Sequence, residues 1–320
     1  MPQIARKGLR RVSVGNARVR VWLAALFAIG LAAAATAAQP AGDILLVKSA
    51  GGGLYAQVEK AFLQELNSLC EARPACPGIH SVSADELASI QNVAYRLVIL
   101  VGQNASRLAD KVNPDSLQLH ILISKQDFAT VRECCGRTLA IYLEQPLLRQ
   151  LNFIRFLLPE RRRIAVLMSD NSAHYKEELA SLARGSGIDI DFRVVNNTAD
   201  IGRLLHELRD EADLLLSLPD PAIYNQNTLT NILLSTYHNR IPVIGFSRGM
   251  VKSGALAALH STPETVGKEA ARKSLQLLDG EPTSGFMPSL YDFSLNRTVA
   301  RSLHLQLPTD AEINERWGDQ

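Results

Sequence analysis

Short apolar runs alternate with amphipathic segments from residue 43 to about residue 308 of the chain. Residues 44–47, 96–101 and 163–168 are mostly apolar, which is typical of strands buried on both faces of a parallel sheet. Residues 54–69 and 263–278 instead carry apolar side chains at helical spacing. Because strands and helices alternate throughout, the pattern predicts βαβ units, with more strands than one sheet would comfortably hold. It therefore predicts an α/β fold of two Rossmann-like lobes, each built on a parallel sheet.

The first 42 residues differ from the rest, because they contain six basic residues and no acidic one. The basic residues come before an apolar stretch, residues 22–38, which ends in small side chains. This order is typical of a cleavable secretory signal peptide, which we place at residues 1–38. An uncleaved membrane anchor is the alternative. The signal predicts export to the periplasm.

The charge balance changes once this segment is removed. The whole chain carries 34 Lys and Arg against 32 Asp and Glu, a net charge of +2. Loss of the six basic residues of the signal leaves the mature chain at −4. The positive charge therefore belongs to the signal, and no nucleic-acid partner is expected.

The chain has four cysteines, all beyond the signal: Cys70, Cys76, Cys134 and Cys135. Exported proteins keep disulfides, and four cysteines allow three pairings. Cys70 and Cys76 enclose a turn-like loop and are the disulfide candidate. The adjacent Cys134 and Cys135 could bridge each other only through a strained ring, or pair elsewhere. Because no spacing resembles C-x-x-C, no metal site is expected.

Small and polar residues follow the predicted strands. In open α/β sheets, ligands bind beyond the carboxyl ends of the strands, and glycines there let backbone N–H groups face a ligand. Two aromatic residues nearby could pack on it. The ligand-binding candidates are Ser49, Gly52, Gly102, Gln103, Ser124, Asn171, Ser172, Asp220, Tyr224, Phe246 and Ser247.

One motif suggests a hydrolase. Residues 245–249 match the G-x-S-x-G nucleophile elbow after a strand, with Asp292 and His304 downstream in the hydrolase order. Two glycines weaken the helix that should follow Ser247, and His304 lies between two leucines with no loop to present it. No catalytic residue is therefore expected, and a Ser-dependent hydrolase is the least favoured function.

A second motif suggests a dinucleotide. Residues 51–56 fit a loose G-x-G-x-x-A fingerprint between a strand and a helix. The acidic residue expected about 20 positions later should end the second strand, but Glu71 falls inside the loop between Cys70 and Cys76. We interpret the glycines as a turn that exposes backbone donors, and no cofactor is expected.

Several segments carry a resemblance to a known family. They are residues 241–247 and 250–257, the Glu144-Gln145-Pro146 sequence, Pro219-Asp220 and residues 295–300. Together they resemble the exported, ABC-transporter-type substrate-binding proteins of the type-1 periplasmic binding fold, in the tryptophan/tyrosine-type branch. The resemblance extends over about residues 43–308.

The resemblance implies a definite domain organisation. Two lobes would be joined by a three-crossover hinge and would close on a small molecule. The N-terminal lobe would comprise residues 43–143 plus 249–288, and the C-terminal lobe residues 144–248 plus 289–308. Residues 309–320 would be a tail, and residues 245–249 would be one of the hinge crossovers, which explains their glycines.

The resemblance also implies a function. The chain would be a monomeric periplasmic solute-binding protein that captures a small molecule, such as an amino acid or related metabolite, for an ABC permease. The alternative is a ligand sensor that presents its closed form to a membrane kinase or cyclase. DNA-binding regulators share the fold, but the signal peptide stands where their helix-turn-helix would be.

Overall fold

The computed structural model describes residues 42–90, 95–113, 116–132, 137–281 and 287–318. The signal segment and the pair Cys134 and Cys135 lie outside these residues. Within the described ranges, no helix is both long enough and apolar enough to cross a membrane.

The elements alternate between strand and helix, as the hydrophobic pattern indicates. In chain order they are β1 (Ile44–Lys48), α1 (Leu54–Cys70), β2 (Ile79–Ser83), β3 (Leu97–Val101), α2 (Gln103–Ser106), β4 (Leu117–Ile123), α3 (Lys125–Arg132), β5 (Thr138–Tyr142), α4 (Leu147–Leu157), β6 (Arg163–Met168), α5 (Lys176–Ala183), β7 (Asp189–Val194), α6 (Ile201–Glu207), β8 (Leu214–Leu216), α7 (Leu229–His238), β9 (Val243–Gly245), α8 (Arg248–Ser253), β10 (Ala257–His260), α9 (Pro263–Leu278), β11 (Asp292–Leu295), α10 (Arg297–Ser302) and α11 (Asp310–Trp317). Short 3₁₀ turns lie at Ala84–Ile90, Ala109–Lys111, Ala173–Tyr175 and Thr198–Asp200.

The first lobe is built on a parallel sheet of five strands. Their order is β2-β1-β3-β4-β5, and Ile44 of β1 lies opposite both Ile79 and Leu97. Strands β1 and β3 are almost wholly buried, because helices cover both faces of the sheet. This arrangement explains their unbroken apolar sequences.

Helix α9 belongs to the first lobe although it follows a strand of the second. It packs on α1, and a Cβ added at Gly267 would lie 2.4 Å from the Val58 carbonyl oxygen. Glycine therefore allows the two helices to approach closely. The helix begins at a capping box between Thr262 and Thr265, with Pro263 in the first turn.

The second lobe is built on a six-stranded sheet in the order β11-β10-β9-β8-β6-β7. Five strands run parallel, and the edge strand β11 runs antiparallel to β10. The two-lobed α/β fold is therefore confirmed, with one correction: the second sheet is mixed rather than purely parallel.

The chain crosses between the lobes three times, but the second crossover differs from the expected one. The expectation that residues 249–260 belong to the first lobe is wrong. Strand β10 pairs in parallel with β9, with Ala257 opposite Ile244, and Leu256 and Ala257 pack in the core of the second lobe. The crossover lies instead at residues 261–262. No change in sequence pattern marks it, because a strand followed by a helix looks the same within a lobe and between lobes.

The C-terminal segment is also more ordered than a tail. Thr309 and Glu312 form a capping box that begins α11. Trp317 then packs against Phe153, with ring centroids 5.1 Å apart, in the core of the second lobe. The expectation of a tail at residues 309–320 is therefore wrong for residues 310–317.

A disulfide closes the loop that follows α1. It joins Cys70 and Cys76, whose Cα atoms are 5.6 Å apart, as the spacing had suggested. Within this loop, Arg73 pairs with Asp279 beyond the end of α9 at 2.5 Å. The loop therefore ties together the ends of the two helices that pack on each other.

Candidate ligand-binding cleft

The strand ends of the two lobes face each other across a cleft with two chambers. The larger chamber, of about 760 Å³, extends towards the crossovers and is bordered by Leu54, Leu143 and Leu259, among others. The smaller chamber, of about 400 Å³, lies between the loops that follow β3 and β6. The residues that border both chambers are Ser124, Glu144, Pro219 and Phe246. The two chambers are therefore parts of one cleft.

The first-lobe wall is organised by the start of α3. The Ser124 hydroxyl donates to Asp127 Oδ2 at 2.7 Å and accepts the Asp127 backbone N–H at 3.0 Å. Gln103, at the end of β3, donates to the other oxygen of the Asp127 carboxylate. Because its hydrogen bonds lie within the wall, Asp127 fixes both Ser124 and Gln103 at the cleft surface.

Glu144 is a buried carboxylate on the first crossover, directly after β5. The residue is 7% exposed, and its two oxygens lie 3.0 and 3.1 Å from the Lys125 backbone N–H. Burial raises the pKa of the Glu144 carboxyl, and it outweighs the N–H groups and the nearby Lys125, which lower it. A carboxylate that is poorly solvated in this way favours a cationic partner.

Aromatic and basic groups surround Glu144. The Lys125 Nζ lies 5.6 Å from the ring centroid of Tyr175 and 5.9 Å from that of Tyr142, within range of cation–π attraction. The His174 ring lies 3.9 Å from that of Tyr175. Burial and the charge on Lys125 lower the pKa of His174. Both effects favour the uncharged imidazole.

The second-lobe wall is organised by Asp220, which is 1% exposed. Its carboxylate accepts hydrogen bonds from the hydroxyl of Ser172 at 2.6 Å, the hydroxyl and N–H of Ser169 at 2.7 and 3.1 Å, and the Ala222 N–H at 3.0 Å. Burial acts to raise the pKa of Asp220, but these donors outweigh it and hold the pKa below its ordinary value. Asp220 thus joins the loops that follow β6 and β8.

Seven of the eleven candidate residues border the cleft: Gln103, Ser124, Asn171, Asp220, Tyr224, Phe246 and Ser247. Phe246 and Tyr224 pack edge to face with ring centroids 6.0 Å apart. The Tyr224 side chain is buried, so Phe246 offers the more accessible aromatic surface.

Three of the other four candidates serve the walls, and the fourth, Gly52, does not. Ser49 donates to the Val101 carbonyl at 2.8 Å and accepts the Ala105 N–H at 2.9 Å, while Ser172 binds Asp220. Gly102 has a φ of 87°, and a Cβ there would lie 2.6 Å from the Tyr55 ring. Gly52 is exposed in open space. Ser49, Gly102 and Ser172 therefore hold the loops in place without bordering the cleft.

The G-x-S-x-G segment has a structural role. The Ser247 hydroxyl accepts the Met250 N–H at 3.3 Å and so caps α8. His304 lies at the exposed end of α10 and does not border either chamber. The histidine in the larger chamber is His260, which bonds to Ser294 Oγ at 2.9 Å. Among the described residues, no histidine is paired with Ser247, so this geometry does not support a nucleophile.

Sequence reasoning missed several residues that border the cleft. Glu144 follows the end of β5, so the rule on strand ends could have found it. Arg248 follows the cap of α8, and Tyr175 lies in a 3₁₀ turn several residues after β6. No periodic signal marks such turn residues. Within the described ranges, no group of three or more potential ligands is arranged to hold a metal ion.

Two facing lobes with a cleft between their strand ends define the class of two-lobed binding proteins. The sequence supports this class directly, because residues 143–312 match the model of the family described as ABC transporter substrate binding protein. This match includes more than half of the chain. The chain therefore belongs to the ABC transporter substrate binding protein family.

One curated relative is similar at low sequence identity. The tyrosine-binding protein of Clostridioides difficile (strain R20291) is 21% identical over 164 residues, which cover 49% of this chain and 47% of that protein. The match thus spans about half the length of this curated relative.

Two solved structures are similar in fold. A substrate binding protein with adhesive properties from Clostridium difficile, in a ligand-free, open structure, has a TM-score of 0.67 at 14% identity, covering 83% of this chain and 96% of that one. An ABC domain from Streptococcus pneumonia in complex with L-Trp has a TM-score of 0.54 at 17% identity, covering 85% and 97%. At these identities the likeness shows the type-1 periplasmic binding fold alone.

Proposed function

We propose that the cleft binds a small molecule that carries an ammonium group, an amino acid or a related metabolite. The observation that carries this proposal is the place of Glu144. It is a buried carboxylate at the junction of two chambers, and both of its oxygens share one donor, the Lys125 backbone N–H. A cation bound here completes the coordination of the carboxylate through charge-assisted hydrogen bonds.

The larger chamber suits the rest of such a molecule. Leu54, Leu143, Leu259 and Phe246 give it apolar surfaces, which favour an apolar or aromatic side chain. The names of two similar proteins agree with this chemistry, since one is a tyrosine-binding protein and the other was solved in complex with L-Trp. We extend to this chain the class of ligand, an amino acid, and not its identity.

Binding by lobe closure follows from the architecture. Each lobe contributes one wall, so a ligand that contacts both walls favours the closed arrangement by its differential affinity. No chemical step is required, and Ser247 serves as a helix cap. In this proposal the protein acts as a periplasmic monomer, enters the periplasm through the signal at residues 1–38, and delivers its ligand to an ABC permease.

Calorimetric titration of the purified protein with L-tyrosine, L-tryptophan and a panel of other amino acids tests the proposal. We expect binding of at least one, and a loss of about 100-fold in affinity in Glu144→Gln, because a charge-assisted hydrogen bond is worth up to about 3 kcal/mol. Glu315→Gln, an exposed residue on α11, is the matched control and should bind as the wild type does. Equal affinity in Glu144→Gln and the wild type would contradict the role of Glu144.

The membrane partner is tested separately. Cross-linking of the exported protein in intact cells, followed by mass spectrometry, should recover an ABC permease. Recovery of a membrane kinase or cyclase without a permease would instead support the sensor alternative.

A further inference from the structure

The third crossover is held from both lobes at a single peptide group. This crossover joins α9 to β11, and the structure describes its residues 287–291. The Pro288 carbonyl accepts a hydrogen bond from Arg149 Nη1 at 2.8 Å, and the Ser289 N–H donates to Glu269 Oε1 at 2.8 Å. This carbonyl and this N–H belong to the same planar peptide group and point in opposite directions. Arg149 and Glu269 therefore hold one rigid group from opposite sides.

The two charged side chains belong to different lobes. Arg149 lies in the first turn of α4, which packs in the core of the second lobe, whereas Glu269 lies on α9 of the first lobe. Glu269 is 2% exposed, and it also accepts the Ser289 hydroxyl at 2.7 Å and the Leu290 N–H at 3.2 Å. Hydrogen bonds to ionised groups are about twice as strong as neutral ones. We call Arg149, Glu269 and the Pro288–Ser289 peptide the clamp.

Arg149 also connects the clamp to the other two crossovers. Its Nη1 donates to Gln145 Oε1 at 2.6 Å on the first crossover, and Gln145 Nε2 donates to Ser261 Oγ at 2.9 Å on the second. Ser261 in turn donates to the Leu143 carbonyl at 3.2 Å. The orientation of the Gln145 amide is fixed, because an arginine can only donate and must face the amide oxygen. One chain of hydrogen bonds thus joins all three crossovers.

This chain of hydrogen bonds lies beside the proposed ligand site. Gln145 and Ser261 border the larger chamber, and Gln145 directly follows Glu144 in the sequence. Closure of two lobes requires rotation about the segments that join them. Since the clamp fixes the third crossover to both lobes, and Gln145 and Ser261 fix the other two to each other, the three crossovers move together. Fewer arrangements of the lobes are then available to the ligand-free protein, and less conformational freedom is lost on binding.

We propose that Arg149 and Glu269 are positioning residues that hold the Pro288–Ser289 peptide as the pivot of lobe closure. The inference takes lobe closure from the proposed function and names the residues that control it. With the clamp intact, the lobes rotate about a fixed point and meet in one arrangement. Without it, the third crossover is released, the lobes separate more widely, and a smaller fraction of the protein is competent to bind.

The first test is Arg149→Met, which removes the guanidinium. A methionine can still pack on the ring of Tyr291, over which the guanidinium carbon of Arg149 lies at 4.6 Å. The matched control is Arg272→Met, because Arg272 pairs with Glu65 at 2.7 Å within the first lobe. In Arg149→Met we expect a larger radius of gyration, measured by small-angle scattering without added ligand. The Kd for L-tyrosine, or for the amino acid that the wild type binds best, should rise about tenfold. The control should match the wild type in both measurements.

The second test is Glu269→Gln, with Glu65→Gln as its matched control. The variant keeps the shape of the side chain, removes its charge and replaces one acceptor oxygen with a donor, so it should also increase the radius of gyration. Because Arg149 and Glu269 hold the same peptide group, their effects should not be independent. The double variant should therefore raise the Kd no more than the more damaging single variant does. A rise equal to the product of the two single effects would contradict a clamp that acts as one unit.

The radius of gyration decides the inference separately from the proposed function. A wild-type radius of gyration in either variant, once circular dichroism shows that the variant is folded, overturns the inference and leaves the proposed function standing. An increased radius with an unchanged Kd overturns the link between the clamp and affinity. If Arg149→Met does not fold, Glu269→Gln provides both measurements. If the wild type binds no amino acid, the proposed function fails, and the radii of gyration still show whether the clamp holds the lobes.

Discussion

Two buried carboxylates on opposite walls of the cleft have opposite surroundings. Asp220, on the second lobe, accepts four hydrogen bonds of 3.1 Å or less from Ser169, Ser172 and Ala222, and its pKa is lowered. Glu144, on the first crossover, accepts from the Lys125 N–H, and its pKa is raised by burial. Both residues are almost fully buried, so burial alone does not distinguish them.

The difference lies in which donors satisfy the oxygens of each carboxylate. The protein's own donors satisfy Asp220, which is therefore a structural residue that shapes the wall. Glu144 has few such donors, so in the proposed function a cationic group of the ligand supplies the remaining hydrogen bonds. An acidic residue at a strand end can thus either hold the wall or bind the ligand, and only its hydrogen-bond partners show which.

The largest expected effect on stability is that of Asp220→Ala. This change leaves the hydroxyls of Ser169 and Ser172 and two backbone N–H groups without their acceptor. We expect the free energy of unfolding to fall by roughly 3 kcal/mol, since hydrogen bonds to a charged group are worth about 1.5–3 kcal/mol each and are not additive. Urea unfolding monitored by circular dichroism measures this change. A loss below about 1 kcal/mol would remove the basis for calling Asp220 structural.

The two carboxylates should affect the pH dependence of the free energy of unfolding in opposite directions. The folded-state pKa of Asp220 is lowered, so its contribution is present above the unfolded pKa and is lost as the pH falls through the folded value. The folded-state pKa of Glu144 is raised, so ionisation of Glu144 reduces stability as the pH rises from its ordinary value through the raised one. Between pH 3 and 7, the free energy of unfolding should fall less steeply towards acidic pH in Asp220→Asn than in the wild type. In Glu144→Gln it should rise more steeply with increasing pH than in the wild type. The same slope in both variants would contradict the comparison.

A smaller effect is expected for Ser247→Ala, which removes the cap of α8. Loss of such a cap costs about 1 kcal/mol, and thermal unfolding should show a correspondingly small decrease. Ser247→Gly should lose less, because glycine is tolerated at this position of a helix. Ester hydrolysis by the wild type that Ser247→Ala abolishes would instead restore the hydrolase hypothesis.

The smallest effect on stability is expected for Glu144→Gln at neutral pH. The amide oxygen still accepts the Lys125 N–H, and the cost of burying a charge disappears. The free energy of unfolding should therefore change by less than about 0.5 kcal/mol or increase slightly. A large loss of stability would place Glu144 with Asp220 as a structural residue.

The sequence predicted the strands and helices of both sheets well where they are long and apolar. Strand β6 and helix α9 have the predicted bounds, because buried parallel strands and amphipathic helices have clear periodicity. The edge strands β2 and β11 were missed. Residues 79–83 include His80 and two serines, and half-polar strands of four or five residues at an edge have no strong pattern.

The cleft could be predicted only in part. Strand ends indicated the region that contains Gln103, Asn171 and Phe246, because topology alone brings those ends together. The sequence could not distinguish a side chain that faces the cleft from one that holds the loop behind it, as Ser49 and Ser172 do. That distinction depends on hydrogen bonds between residues about 50 positions apart.

The most direct test of the account is a comparison of L-tyrosine with 3-(4-hydroxyphenyl)propionate, which lacks only the ammonium group, by calorimetry on the wild type and Glu144→Gln. Should another amino acid bind more tightly, that amino acid and its deamino analogue take their place. We predict that the wild type binds the amino acid about 100-fold more tightly than the analogue, and that this preference disappears in Glu144→Gln. An equal preference for the amino acid in both proteins would show that the ammonium group is bound elsewhere, and it would contradict the account.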